Sequence, residues 1–148
     1  MSSFDTKSIV AFTTDYFDQS WPSGEDDPNV PPLGKDAAAY FIRRLSELGV
    51  QVLGKEAVVG ESGWHWNISI GKDKYALVIH WAPIGKPPKD FWIIQISEDA
   101  SLFGRLIGKK SLPGDATPVV SAIRRIIDDE PRFSDVRWLT PEEFRSVY

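Results

Sequence analysis

Apolar and polar positions alternate along this chain in two distinct rhythms, and the rhythm changes mark the elements. Residues Ile9 to Thr13 form a short apolar run, which predicts a first strand. From Lys35 to Leu48 the period lengthens: Ala38, Phe41, Leu45 and Leu48 recur at helical spacing, with Arg43, Arg44 and Glu47 off that face. Gly49 follows where a left-handed helix cap belongs. Strands are predicted at Val50 to Val59, Trp64 to Ile70, Lys74 to Trp81 and Phe91 to Ser97, separated by turns rich in glycine or proline. A second helix starts at Thr117 with Pro118 in its first turn and Val120, Ile123 and Ile127 as the inner stripe, and Pro131 ends it. A last strand, Asp135 to Leu139, leads into Thr140-Pro141-Glu142-Glu143, which fits a capping box opening a short terminal helix. The order β-α-β-β-β-β-α-β-α predicts one α+β domain spanning residues 1–148. It consists of a mostly antiparallel sheet of five to six strands with two main helices packed on one face.

The hairpin around Gly71-Lys72-Asp73-Lys74 gives the sharpest geometric expectation. A symmetric four-residue turn pairs Ile70 with Tyr75, Trp64 with Trp81, His65 with His80 and Trp66 with Ile79. Alternation then sets Trp64, Trp66, Ile68, Ile70, Tyr75, Leu77, Ile79 and Trp81 on one face as core. His65, Asn67, Ser69, Ala76, Val78 and His80 take the other face, which is open to a ligand if no helix covers it. A slip of one residue would reverse the two faces.

Between Ser20 and Gly34 the chain holds four prolines and two glycines among acids, so an irregular, acidic, proline-rich loop is expected at about residues 14–34. Residues 1–34 carry six acids (Asp5, Asp15, Asp18, Glu25, Asp26 and Asp27) against Lys7 alone, a balance of −5. The remaining 114 residues hold 16 bases and 15 acids. With an isoelectric point near 5.2 and no long basic run, neither nucleic acid nor an anionic membrane is an expected partner. The length of 148 residues and 42% hydrophobic content suffice for one domain with a real core. The absence of cysteine excludes thiol catalysis, disulfides and cysteine-ligated metals. No apolar run reaches the ~18 residues a membrane span needs, and Met1-Ser2-Ser3-Phe4-Asp5 does not open like a signal peptide, so a cytoplasmic location is expected.

Candidate chemistry is sparse. His65 and His80 are the chain's two histidines; directly opposed they could share a metal ion or act as a base, but no carboxylate is assigned to them by spacing, and no metal or cofactor is expected. Gly104-Arg105-Leu106-Ile107-Gly108-Lys109-Lys110-Ser111 is one residue short of a phosphate-binding loop and lacks a following helix. It reads instead as a basic connection, with Leu102, Phe103, Leu106 and Ile107 docking on the core. The acidic cluster does not match a calcium-binding loop. Of the six tryptophans, Trp64, Trp66, Trp81 and Trp92 have core parity, while Trp21 lies in the acidic loop. Gly63-Trp64-His65-Trp66, Phe91-Trp92-Ile93-Ile94, the Phe103 to Lys110 stretch and Val136-Arg137-Trp138 together resemble small bacterial proteins. That resemblance implies a bacterial origin and no particular activity.

Three functions follow as expectations. The first is a non-enzymatic protein-binding domain, of the kind an acidic immunity-type antagonist of a basic protein would be, using Asp15, Asp18, Trp21, Glu25, Asp26 and Asp27. The second is a receptor for a small molecule or peptide on the open sheet face at His65, Asn67, His80 and Gln95. The third is an enzyme built on the histidine pair.

Overall fold

The computed structural model describes residues 7–17, 34–60, 63–71, 73–98 and 117–147. Its elements are β1 (Ile9–Thr13), α1 (Lys35–Glu47), β2 (Gln51–Gly60), β3 (Gly63–Ile70), β4 (Asp73–Ile84), β5 (Lys89–Glu98), α2 (Thr117–Asp128), β6 (Ser134–Leu139) and α3 (Pro141–Val147). The fold is α+β. Among the described residues the sheet has six strands in the order β2-β3-β4-β5-β1-β6, every pair antiparallel. The strands β2 to β5 form a meander; β1 adds to its far edge, and β6 pairs on β1's other side.

Local chemistry explains where the elements stop. At the end of α1, Gly49 takes φ 85 and donates to Ser46 O, while Val50 N donates to Leu45 O; these two bonds make a Schellman cap. At the start of α3, Glu143 N donates to Thr140 Oγ1 at 3.1 Å and Thr140 N donates to Glu143 Oε1 at 2.9 Å. That is the capping box the letters spell.

Helices α1 and α2 lie on one sheet face. Ala38, Phe41 and Leu45 from α1 meet Val10, Phe12, Trp64, Trp66, Ile68, Tyr75, Leu77, Ile79, Trp92, Ile94 and Ile96 from the strands. The inner stripe of α2 is Val119, Ile123, Ile126 and Ile127, one step round from the expected stripe, since Val120 is only half-buried. The expected division of the two faces holds: Trp64, Trp66, Ile68, Tyr75, Leu77 and Ile79 are all core.

The opposite face carries a smaller apolar layer of its own. Ile9, Ala11, Ala82, Ile84, Phe91 and Ile93 form it, with Leu139 and Phe144 packed against them. The terminal helix α3 thus covers one end of the face that was expected to be open. Among the described residues no helix lies over the other end, around His65 and Asn67.

The β3–β4 register corrects the expected pairing. Trp64 stands opposite Ile79, His65 opposite Val78 and Ile70 opposite Asp73, so the turn contains two residues and every partner moves by two positions. Gly71 takes φ 62, the left-handed conformation that such tight turns use. A shift of two preserves the parity of each strand, which is why the faces survive while the partners change. Trp81 consequently leaves Trp64 and pairs with Trp92 on β5, ring centroids 6.0 Å apart and 31° between planes.

Candidate functional site

The acidic segment begins where β1 ends. Of its predicted partner-binding residues, Asp15 lies on the surface; Asp18, Trp21, Glu25, Asp26 and Asp27 lie outside the described residues, as does the whole Leu102 to Ser111 stretch. What the structure does show is how the segment is rooted. Phe17, 3% exposed, meets the Trp92 ring edge-on, with centroids 5.5 Å apart and planes at 82°. It also contacts Tyr40, Phe41 and Phe133. At the return point, Gly34 is buried with φ 127, and a Cβ there would lie 3.0 Å from the Trp64 ring and 3.6 Å from the Trp92 ring. The two ends of the 18–33 span therefore converge on one fully buried tryptophan.

Around these roots runs a belt of polar contacts. The Arg132 guanidinium grips Glu130 with Nη2 and Nε at 2.6 and 2.8 Å and lies over the Tyr16 ring at 3.5 Å. Tyr40 donates its hydroxyl to the same carboxylate at 3.2 Å. Held chiefly by the Arg132 bonds, Glu130 has its pKa pulled down to about 2. Burial, and after it the Glu130 charge, raises that of Tyr40. Helix α1 and the turn after α2 are tied together at this one carboxylate, and the chain after β1 joins them through Tyr16 under Arg132.

Beside this belt, the end of the sheet holds a cleft of about 380 Å³. It lies past the last core layer, where Phe12, Trp92 and Trp81 come level across β1, β5 and β4. Asp15 and Thr14 border it from the end of β1, Trp81 from β4, Lys89 and Asp90 from the start of β5, and Arg132 from the turn before β6. Sequence reasoning missed Trp81 and Asp90 as site residues. They lie more than 60 residues from Asp15 in the chain and join it only because β1 inserts beside β5.

The predicted ligand face is partly assembled. His65, Asn67, His80 and Gln95 do share one sheet face, each half-buried. The expected direct opposition of the two histidines is overturned, because His80 falls opposite Gly63's end of β3 and pairs with Ile93 on its other side. Gln95 Nε2 lies 3.2 Å from His80 Nε2. With the imidazole proton on Nδ1, His80 Nε2 accepts from this amide. Burial lowers the His80 pKa below its ordinary value. His65 Nε2 is enclosed and has no hydrogen-bond partner among the described residues. No group of three or more His, Cys, Asp or Glu among the described residues is arranged to hold a metal ion.

A second cleft, about 530 Å³, lies between the end of α1 and the start of α2, with Leu48, Val50, Ile70 and Ala122 on its walls and Arg125 at its rim. No described helix is long and apolar enough to cross a membrane. Compared with protein-family models, with curated proteins and with solved structures, the chain matches none.

Proposed function

We propose that this protein is a non-enzymatic binding domain that docks on a basic protein surface through the acidic segment between β1 and α1, as an immunity-type antagonist of a basic protein would. The supporting observation is the rooting of that segment, whose two ends, Phe17 and Gly34, both meet Trp92. Five acids and Trp21 lie between Asp15 and Asp27 in a chain whose remainder is nearly neutral. Charge concentrated in this way accelerates encounter with an opposite charge, and an aromatic within it supplies an anchor. The reading goes with a bacterial, cytoplasmic protein whose partner is neither nucleic acid nor membrane.

The test is capture of partners from the source cell's lysate at low and moderate salt, comparing wild type with the Glu25→Ser/Asp26→Ser/Asp27→Ser variant. One stoichiometric basic partner, weakened by salt and lost in the variant, is the expected result. Equal capture by both forms, or none by either, overturns the reading.

A second reading is favoured by the enclosed His65 Nε2, which has no hydrogen-bond partner among the described residues: a small-molecule or peptide ligand bound on the face of His65, Asn67, His80 and Gln95. Such a ligand would raise the melting temperature without the steep salt dependence. An enzyme on the same face would lose activity on His65→Ala or His80→Ala while staying folded.

A further inference from the structure

The charges around the cleft at the end of the sheet are unequally answered. Its two cations are engaged: Lys89 Nζ lies 3.2 Å from Asp135 Oδ2, and Arg132 is forked onto Glu130. Its two exposed acids, Asp15 and Asp90, make no hydrogen bond or ion pair among the described residues. Trp81, half-buried and braced on Trp92, lines the same cleft from β4, the strand on the other side of β5 from Asp15. Unanswered carboxylates beside an aromatic ring are what a guanidinium or ammonium group seeks, since the ring face attracts the cation and the carboxylates bind its N–H groups.

Position adds a second argument. Asp15 is at once a wall of this cleft and the first acid of the rooted segment, and Trp92 underlies both the cleft's Trp81 and the segment's ends. Asp15 is the acid of that segment that lies among the described residues, so the cleft borders the segment where it leaves β1. Asp90 and Trp81 are presented by adjacent strands, β5 and β4, so they are held in place before any partner arrives.

We propose that this cleft receives one arginine or lysine side chain of the basic partner, its charged head answered by Asp15 and Asp90 and its stem against Trp81. The proposal rests on the reading given under Proposed function and assigns that docking surface its central contact.

The experiment follows the Trp81 indole N–H resonance of the full-length protein by NMR during titration with N-acetyl-arginine N-methylamide. N-acetyl-citrulline N-methylamide, of the same shape without the charge, serves as the control. Saturable shifts of Trp81 with the arginine compound and none with the citrulline compound are expected. The Asp15→Asn/Asp90→Asn variant, whose exposed sites leave the melting temperature unchanged, should bind at least about fivefold more weakly. Equal shifts with both compounds, binding within twofold in the variant, or shifts confined to residues away from Trp81 would overturn the proposal. Partner capture with Asp90→Asn alone separates it from the broader reading, because Asp90 lies outside the acidic segment. Loss of a partner with the triple serine variant but full capture with Asp90→Asn refutes the cleft and leaves the segment standing. Arginine binding at Trp81 with no partner captured refutes the segment and leaves the cleft standing.

Discussion

Gly63 and His80 face each other across β3 and β4 so closely that a Cβ added to Gly63 would lie 2.9 Å from the His80 Cβ. The same added atom would collide with the backbone carbonyl of Ile79, and Gly63 holds φ 128, which L side chains rarely adopt. Gly63→Ala should therefore destabilise the fold by roughly 2–4 kcal/mol in urea unfolding. A loss under about 0.5 kcal/mol would mean that the two-residue turn, and the register it sets, is wrong.

Trp64 and Trp81 separate under truncation because of the same register. Trp64 is 7% exposed in the main core, and Trp64→Ala should cost roughly 3–5 kcal/mol. Trp81 is half-buried with one neighbour ring, so Trp81→Ala should cost about 1–3 kcal/mol. Thermal unfolding that ranks the two in reverse would contradict the pairing of Trp81 with Trp92.

Acid should weaken the fold in two stages. His80 is held neutral by burial, its pKa below the usual 6.5, so the folded state binds its proton less readily than the unfolded chain. Stability is unaffected by this group above pH 6.5 and falls as the pH drops below it. Glu130, pulled from 4.5 to about 2 by Arg132, contributes stability that is complete above pH 4.5 and is lost as the pH falls toward 2. Melting curves of His80→Gln and Glu130→Gln should each flatten one stage and leave the other; a variant that retains both stages would refute its assignment.

Removing the Thr140 hydroxyl should loosen α3 alone. Thr140→Ala forfeits the bond from Glu143 N, worth about 1 kcal/mol at a helix start. Since Phe144 is the helix's contact with the smaller apolar layer, faster amide exchange should be confined to residues 141–147 and their immediate neighbours. Faster exchange throughout α1 or α2 would show that the layers are coupled.

Features written in local spacing were legible in the sequence. Gly49 after a helical stripe and Thr140 three residues before Glu143 each specify a bond within four residues, and both bonds are present. The parity of Trp64, Trp66 and Ile68 against Tyr75, Leu77 and Ile79 was equally plain, because alternation is insensitive to a shift of two. Turn length was not: Gly71-Lys72-Asp73-Lys74 suits either two or four residues, and the difference moved His65 from His80 to Val78. Nor does anything in Pro141 to Val147 tell which sheet face Phe144 will seek. The acidic segment announced itself by composition, whereas the cleft at its root did not. Asp15 and Asp90 come to border one cleft only through the placement of β1 against β5, a long-range pairing with no signature in either strand alone.

Strand β5 is hydrogen-bonded on both sides, to β4 and to β1, and its Trp92 and Ile93 are fully buried on opposite faces. Strand β2, at the sheet's edge, has one partner among the described residues and an irregular pairing between Leu53 and Val58. The domain thus has a stiff half and a yielding half, and its two surfaces of interest fall on different sides of that division. Trp81 and Asp90 stand on the stiff half, as a die holds a stamp, so contacts made there will be governed by fit. His65, next to Val58, stands beside the edge strand where its pairing is interrupted, so contacts on that face will depend on how far that edge opens.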